Sequence, residues 1–149
     1  MGRRVGEASP SPGRRGPVLT ALLLDTSVLI GAERTSTDLD ALIADDDEPA
    51  IAAITVAELG VGVATASGRR RGVRQAFVSD LVAALPVIAY DLAVAGAHTE
   101  LLVAVRRSGR PRGAHDLIIA ATARATGRTV VTADEADFAS LPGVRVRRP

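Results

Sequence analysis

From residue 19 onward, short uninterrupted apolar runs alternate with longer stretches in which apolar residues recur at helical spacing. Uninterrupted apolar runs are typical of strands buried on both faces, and the longer stretches predict helices. The predicted strands are Leu19–Leu24, Ala50–Ile54, Val87–Tyr90, Thr129–Thr132 and Val144–Arg147. Strands that alternate with helices predict an α/β domain in which helices cover both faces of a parallel sheet.

Residues suited to helix N-termini stand at the beginning of the amphipathic stretches. The predicted helix starts are Thr26 or Ser27, Thr55, Asp91 and Asp116. Two polar segments are predicted to lie outside helices and strands. These are Asp45–Glu48, a solvated loop, and Arg69–Gly72, a turn before an amphipathic helix.

The chain has 149 residues, which is the length of one domain. Residues 1–17 are rich in Gly, Pro, Ser and Arg and show no periodicity. We therefore predict a disordered N-terminal extension over residues 1–17 and a folded domain over residues 18–149. The extension is either a basic arm or the product of a start codon assigned too far upstream.

The composition excludes several kinds of chemistry. The chain contains no Cys and no Lys, so disulfides, thiolate metal sites, Cys nucleophiles and Lys-based catalysis are excluded. Aromatic residues make up 2% of the chain, which argues against recognition of single strands by base stacking. No apolar run approaches the ~18 residues of a membrane span, and the N-terminus lacks a signal-peptide pattern, so we expect a cytoplasmic protein.

Four acidic residues lie at strand ends or helix starts. Asp25, Glu58 and Asp134 follow closely on predicted strands, and Asp116 opens a predicted helix. Each has a simpler explanation. An Asp can cap a helical turn, an acid in the first turn favours the helix dipole, and Glu58 completes the capping-box pattern Thr55-x-x-Glu58.

Together these acids predict a metal site. Parallel strands bring their carboxyl ends to one edge of a sheet, and carboxylates that converge there repel one another unless a cation neutralises them. An all-oxygen set without Cys or His suits Mg²⁺ or Mn²⁺. Such an ion can activate water and stabilise the charge that develops on a phosphoryl group. Metal-dependent phosphodiester hydrolysis therefore fits these residues.

Four segments resemble the motifs of PIN-domain ribonucleases, and most of all those of VapC toxins from type II toxin–antitoxin systems. The segments are Leu23–Ile30, Thr55–Leu59, His115–Ala123 and Val131–Phe138. The resemblance implies a three-layer α/β/α sandwich with strand order 3-2-1-4-5. It also implies a Mg²⁺-dependent endoribonuclease that cuts structured RNA (tRNA or rRNA) and inhibits translation. The implied assemblies are a homodimer and a heterotetramer or larger complex with a VapB antitoxin.

Carried over residue by residue, the resemblance implies that Asp25 and Asp116 are the main metal ligands. Glu58 would be a third ligand or a base that orients water. The hydroxyl groups of Thr26 and Thr132 would hold these acids, or waters bound beside them, in place without contacting the metal.

The fourth acid is either Asp134 or Asp137. We prefer Asp134 because it lies nearer the end of the strand, and Asp137 would then tie down the turn beside Phe138. His115 is predicted to face away from the site, since neighbouring side chains on a helix point in different directions.

Two Arg clusters could contact RNA. We favour the loop that carries Arg110 and Arg112, because it immediately precedes Asp116. The other cluster, Arg69–Arg71 with Arg74, is the alternative, and solvated surface is the simpler explanation for both.

A PIN-like protein that only binds a partner, without catalysis, is the main alternative function. Other proteins with an Asp after the first strand fit less well. Haloacid-dehalogenase phosphatases need a second Asp where this chain has Ser27, and receiver domains need a catalytic Lys.

Overall fold

The centre of the molecule is a five-stranded, fully parallel sheet with strand order β3-β2-β1-β4-β5. It is described by a computed structural model of residues 19–149, so the predicted N-terminal extension lies outside the described residues. The strands are β1 Thr20–Leu24, β2 Asp47–Ala52, β3 Val87–Ile88, β4 Thr129–Val131 and β5 Arg145–Arg147. The predicted fold class and strand order are confirmed.

Five helices cover the two faces of the sheet. They are α1 Thr26–Thr35, α2 Ala53–Thr65, α3 Gly68–Ala84, α4 Leu92–Ser108 and α5 Ala114–Ala125. Short 3₁₀ turns lie at Leu39–Ala41 and Glu135–Asp137. Within residues 19–149, no helix combines the length and apolar character that a membrane crossing requires.

Strand β1 divides the core into two layers because successive side chains point to opposite faces. Leu23 packs with α4 and α5 in one cluster that includes Leu101 and Ile119. Leu22 and Leu24 pack in the other cluster with residues of α1, α2 and α3. All three β1 leucines are buried, which explains the uninterrupted apolar run in the sequence.

Several predicted boundaries are wrong. Helix α1 is capped by Asp25, whose side chain accepts the Thr26 N–H, so the helix-cap explanation of Asp25 is confirmed and a cap at Thr26 or Ser27 is wrong. Asp47 and Glu48 belong to β2, where Asp47 pairs in register with Thr20 of β1, so this acidic run is not wholly a solvated loop.

The starts of helices α2 and α3 also differ from prediction. Helix α2 begins at Ala53, two residues before Thr55, because β2 ends at Ala52. Residues 69–71, predicted to form a turn, are the first helical residues after Gly68 in α3. The long helix α4 does begin as predicted, with the Asp91 side chain accepting the Val94 N–H.

Candidate active site

Asp25 stands at the carboxyl end of β1 and is held by three hydrogen-bond donors. Its Oδ1 accepts the Thr26 N–H (2.9 Å), and its Oδ2 accepts the hydroxyls of Ser27 (2.8 Å) and Thr132 (2.8 Å). Only 5% of the residue is exposed. The charge is therefore stabilised by fixed dipoles, and the carboxylate has one defined orientation.

The same two hydroxyls tie the loop after β4 to Asp25. Ser27 Oγ accepts the Ala133 N–H (3.2 Å), and Thr132 Oγ1 accepts the Asp134 N–H (3.0 Å). Ser27 was not among the predicted site residues. A hydroxyl two residues after a strand-end Asp was the available signal, but its second bond crosses to a segment more than 100 residues away.

Glu58 lies in α2 and faces Asp25 across the N-terminus of α1. Its Oε1 accepts the Thr26 hydroxyl at 3.0 Å, and Thr26 Oγ1 also lies 3.2 Å from Thr55 Oγ1. Thr55 is fully buried inside α2, whose cap position Ala52 makes no side-chain bond. The capping-box explanation of Thr55 and Glu58 is therefore wrong, because both side chains bond across to α1.

His115 also contacts Glu58. Its Nδ1 lies 3.4 Å from Glu58 Oε2, with the imidazole about half exposed. The prediction that His115 faces away from the site is wrong. At the start of α5 the side chain reaches sideways to α2, a direction that helical periodicity alone did not indicate.

Asp116 lies in the first turn of α5, and its pKa is raised to about 6. Burial is the largest cause, because it disfavours the charged form. The negative charges of four other carboxylates raise the pKa further, in the order Asp137, Asp25, Glu58 and Asp134. All five acids therefore lie within electrostatic reach of one another.

Gly113 makes room for the Asp116 carboxylate. A Cβ at position 113 would lie 2.6 Å from Asp116 Oδ2, closer than real Cβ atoms approach, and 3.3 Å from its Cγ, a tight contact. The Asp116 side chain thus turns back over the residue that begins its own helix. Gly113 was not predicted to matter, although a Gly three residues before an acid on a helix was visible in the sequence.

The two candidates for the fourth acid both border the site. Asp134 lies three residues after the end of β4, and Asp137 ends the 3₁₀ turn that follows. Both are exposed, and of the two, Asp137 has the larger effect on the pKa of Asp116. The electrostatics thus give weight to Asp137, whereas proximity to the strand end favoured Asp134.

The donor set fits a hard divalent cation. It consists of carboxylates, and their mutual repulsion at Asp116 is the interaction that such a cation would relieve. Within residues 19–149, no three His, Asp or Glu side chains already have the spacing of a ligand set. The acids therefore lie within electrostatic reach of one another, but their side chains are not at the spacing of a ligand set.

Arg112 is engaged in bonds to the protein. Its guanidinium group donates to the carbonyl oxygens of Ala136 and Ala139 (2.7 Å for Ala139), which flank Asp137. It therefore holds the 3₁₀ turn after β4 against the start of α5. Arg110, two residues earlier, is exposed.

Comparison with known proteins matches this arrangement to one family. The family model described as "PIN domain" covers residues 22–144. Ribonuclease VapC4 of Mycobacterium tuberculosis is 35% identical over 124 residues, which are 83% of this chain and 93% of that protein. The tRNA(fMet)-specific endonuclease VapC of Salmonella typhimurium is 31% identical over 96 residues, 64% of this chain and 71% of that protein.

A solved structure agrees with the sequence relatives. VapBC-5 from Mycobacterium tuberculosis, a member of the VapBC family of toxin–antitoxin systems, has a chain that superposes with a TM-score of 0.69 at 33% identity. The match covers 87% of this chain and 97% of that one. With its parallel sheet, its acids at the carboxyl edge and these relatives, the chain belongs to the PIN-domain family, and its curated relatives are VapC ribonucleases.

Proposed function

We propose that this protein is a Mg²⁺- or Mn²⁺-dependent endoribonuclease and the toxin of a VapBC-type toxin–antitoxin pair. Its target is structured RNA (tRNA or rRNA), and cleavage would inhibit translation in the cytoplasm. One observation carries the proposal. Burial, and after it the negative charges of carboxylates from three other parts of the chain, raise the pKa of Asp116 to about 6, and a bound cation would relieve both effects.

The relatives support the choice of RNA as substrate. The curated relatives are named as ribonucleases or, in one case, as a tRNA(fMet)-specific endonuclease. The same reasoning extends to a cognate VapB-type antitoxin, since VapBC-5 is described as a toxin–antitoxin system. A homodimer, joined by antitoxin into a heterotetramer or larger complex, is the assembly we expect.

Asp25 and Asp116 would hold the metal ion, with Glu58 and either Asp134 or Asp137 completing the acidic set. A divalent ion bound there supplies a polarised water and neutralises charge on the phosphoryl oxygens. The protein itself orients the carboxylates that would surround the ion. Thr132 and Ser27 fix the Asp25 carboxylate, and Thr26 fixes one oxygen of Glu58, which leaves Oε2 to His115 and to solvent.

Glu58 is placed to orient the attacking water. It is partly exposed, it lies beside Asp25 through the shared Thr26 contact, and one of its oxygens remains outside the internal hydrogen bonds. General-base catalysis contributes typically 10²–10⁴-fold to a rate. We therefore assign Glu58 the role of base or water ligand rather than a structural role.

A PIN-like protein without catalysis is the second candidate. Such a protein would keep the fold but would not need a carboxylate whose charged form is disfavoured by burial and by neighbouring carboxylates. The charged form of Asp116 is disfavoured in this way, and Gly113 leaves the space that the Asp116 carboxylate occupies. These observations favour the nuclease.

The test is cleavage of bulk bacterial tRNA by the full-length chain purified free of antitoxin. We expect cleavage with Mg²⁺ or Mn²⁺, none with EDTA, and a loss of at least 10³-fold in Asp25→Asn. The matched control is Asp80→Asn, the same chemical change on the exposed part of α3, which should keep wild-type activity. Cleavage that persists in EDTA or in Asp25→Asn would refute the metal-dependent mechanism.

A further inference from the structure

A groove of about 670 Å³ runs between the end of α1 and the first turns of α3, and arginines dominate its lining. We call it the α1–α3 arginine groove. Its lining residues are Arg34, Arg69, Arg70 and Arg74, together with Glu33 and Val73. Four guanidinium groups from two helices thus face one depression of the surface.

Most of the positive charge in the groove is not neutralised. Glu33 is its one acid, and Glu33 Oε1 is paired with Arg74 Nε at 3.4 Å. Arg74 Nη1 also donates to the Gly62 carbonyl at 3.0 Å. Arg34, Arg69 and Arg70 are exposed and form no ion pair within residues 19–149. Three positive charges are therefore available to a ligand.

The groove adjoins a second cavity that reaches one acid of the site, Glu58. This cavity has a volume of about 220 Å³ and shares Glu33, Arg34 and Arg74 with the groove as lining residues. By contrast, the small cavity beside Arg110 and Arg112 is lined by none of the site acids. The α1–α3 groove is thus the arginine-lined depression that leads to a catalytic carboxylate.

We propose that the α1–α3 arginine groove binds the phosphate backbone of the RNA substrate next to the scissile bond. This inference rests on the proposed nuclease function and deepens it. It places the backbone contact on Arg34, Arg69 and Arg70 instead of on the Arg110 and Arg112 loop that the sequence favoured.

The chemistry of the groove matches a nucleic-acid backbone better than a protein partner. Guanidinium groups pair with phosphate oxygens in a planar, two-pronged geometry. Protein interfaces are anchored by buried apolar and aromatic side chains, whereas Val73 is the one apolar residue that lines the outer groove. The apolar residues Ile30, Leu59, Phe77 and Val78 line the inner cavity that leads to Glu58, so the outer, arginine-lined part is the phosphate contact. Because the outer groove offers guanidinium groups and no aromatic side chain, contacts made there should add affinity without sequence preference.

The experiment compares two triple variants that lose the same charge. Arg34→Ala/Arg69→Ala/Arg70→Ala removes the unpaired groups of the groove and leaves Arg74 in its ion pair. Arg106→Ala/Arg107→Ala/Arg145→Ala is the control, with exposed residues from the end of α4 and from β5 that line neither cavity. Both are made in the full chain, with Asp25→Asn added for binding to bulk bacterial tRNA and without it for cleavage.

We expect the groove variant to bind tRNA about tenfold more weakly or worse, and its dependence of log Kd on log salt to fall by about two to three. Its KM should rise while kcat changes little, because the lost contacts act in both ground state and transition state. The control variant should bind within about twofold of wild type. An Arg→Lys version of the groove variant should recover part of the affinity, since a lysine retains the positive charge but not the two-pronged geometry.

Two results would overturn the inference. One is a groove variant that binds and cleaves tRNA like wild type, or no worse than the control variant. The other is a groove variant that keeps RNA affinity but is no longer inhibited by antitoxin, which would make the groove a protein contact. Failure of the proposed function looks different, because the unmodified chain would then cleave no RNA with Mg²⁺ or Mn²⁺.

Discussion

Replacing Gly113 with Ala tests the position of Asp116 without touching any charged group. The added Cβ would lie 2.6 Å from Asp116 Oδ2, and contacts below 3.0 Å are not seen for real Cβ atoms. The carboxylate must therefore move by about half an ångström or rotate away from the helix start. The backbone at residue 113, with φ −59° and ψ 136°, accepts Ala without strain, so the side chain of Asp116 has to give way.

A displacement of this size should be visible in activity more than in stability. A misplacement of about 1 Å can cost about 100-fold in rate, so about half that distance should cost about tenfold in kcat/KM, or about 1.4 kcal/mol. The Mg²⁺ concentration for half-maximal cleavage should also rise, because Asp116 is a proposed ligand. Stability should fall by no more than about 1 kcal/mol, the usual difference between Gly and Ala at a helix cap.

The assay is tRNA cleavage across a Mg²⁺ titration, with thermal unfolding of the same preparations. Gly96→Ala is the matched control, since Gly96 lies inside α4 and a Cβ there meets nothing within 4 Å. This control should keep full activity and gain about 0.5–1 kcal/mol in stability. If Gly113→Ala has wild-type kcat/KM and wild-type metal dependence, the position of Asp116 does not matter to catalysis and the reasoning fails.

Three further predictions follow from the site. The pKa of Asp116 is raised to about 6, so its ionisation destabilises the metal-free fold as the pH rises from about 4 through 6. Asp116→Asn should then melt above wild type in EDTA at neutral pH, although inactive, and the two melting temperatures should converge near pH 4. Thr132→Val leaves the buried Asp25 carboxylate one donor short, so the free energy of unfolding should fall by about 1–3 kcal/mol, and Thr132→Ser should restore it. Asp137→Asn should lower the pKa of Asp116 more than Asp134→Asn does, as measured by side-chain NMR titration; the reverse order would make Asp134 the nearer acid.

The fold was predictable because its signals are local. The β1 leucines are buried on both faces, and this condition by itself produces the uninterrupted apolar run that indicates a central strand. The strand order came from the family resemblance, since hydrophobic patterning does not specify which strands are neighbours. Asp91 was predicted correctly as a helix cap because capping, like strand burial, depends on only a few adjacent residues.

The site was less predictable because its contacts connect distant segments. Ser27 bonds to Ala133, and Thr26 bonds to Glu58, yet neither partner can be inferred from the sequence near either residue. The position of Asp47 was also predicted wrongly, in this case because its neighbours in the sequence are polar. Its polar neighbours predicted a loop, whereas its side chain is 97% buried and paired with Arg147 from the other end of the chain.

Side-chain caps do not separate the helices that carry site residues from the others, because α1 is capped by Asp25 whereas Ser67 makes no side-chain cap bond at α3. Helix α4 lies away from the acids and has an ordinary cap in Asp91. Helices α2 and α5 carry site residues in their first two turns, and neither has a side-chain cap, since Ala52 and Gly113 occupy the cap positions. A Ser or Asp at position 113 would cap α5 but would need the space that the Asp116 carboxylate fills. At position 113 the chain therefore gives up a side-chain cap and leaves room for the Asp116 carboxylate, as expected where function and stability compete for one residue. At α1 the two demands coincide, because Asp25 is both the helix cap and a site acid.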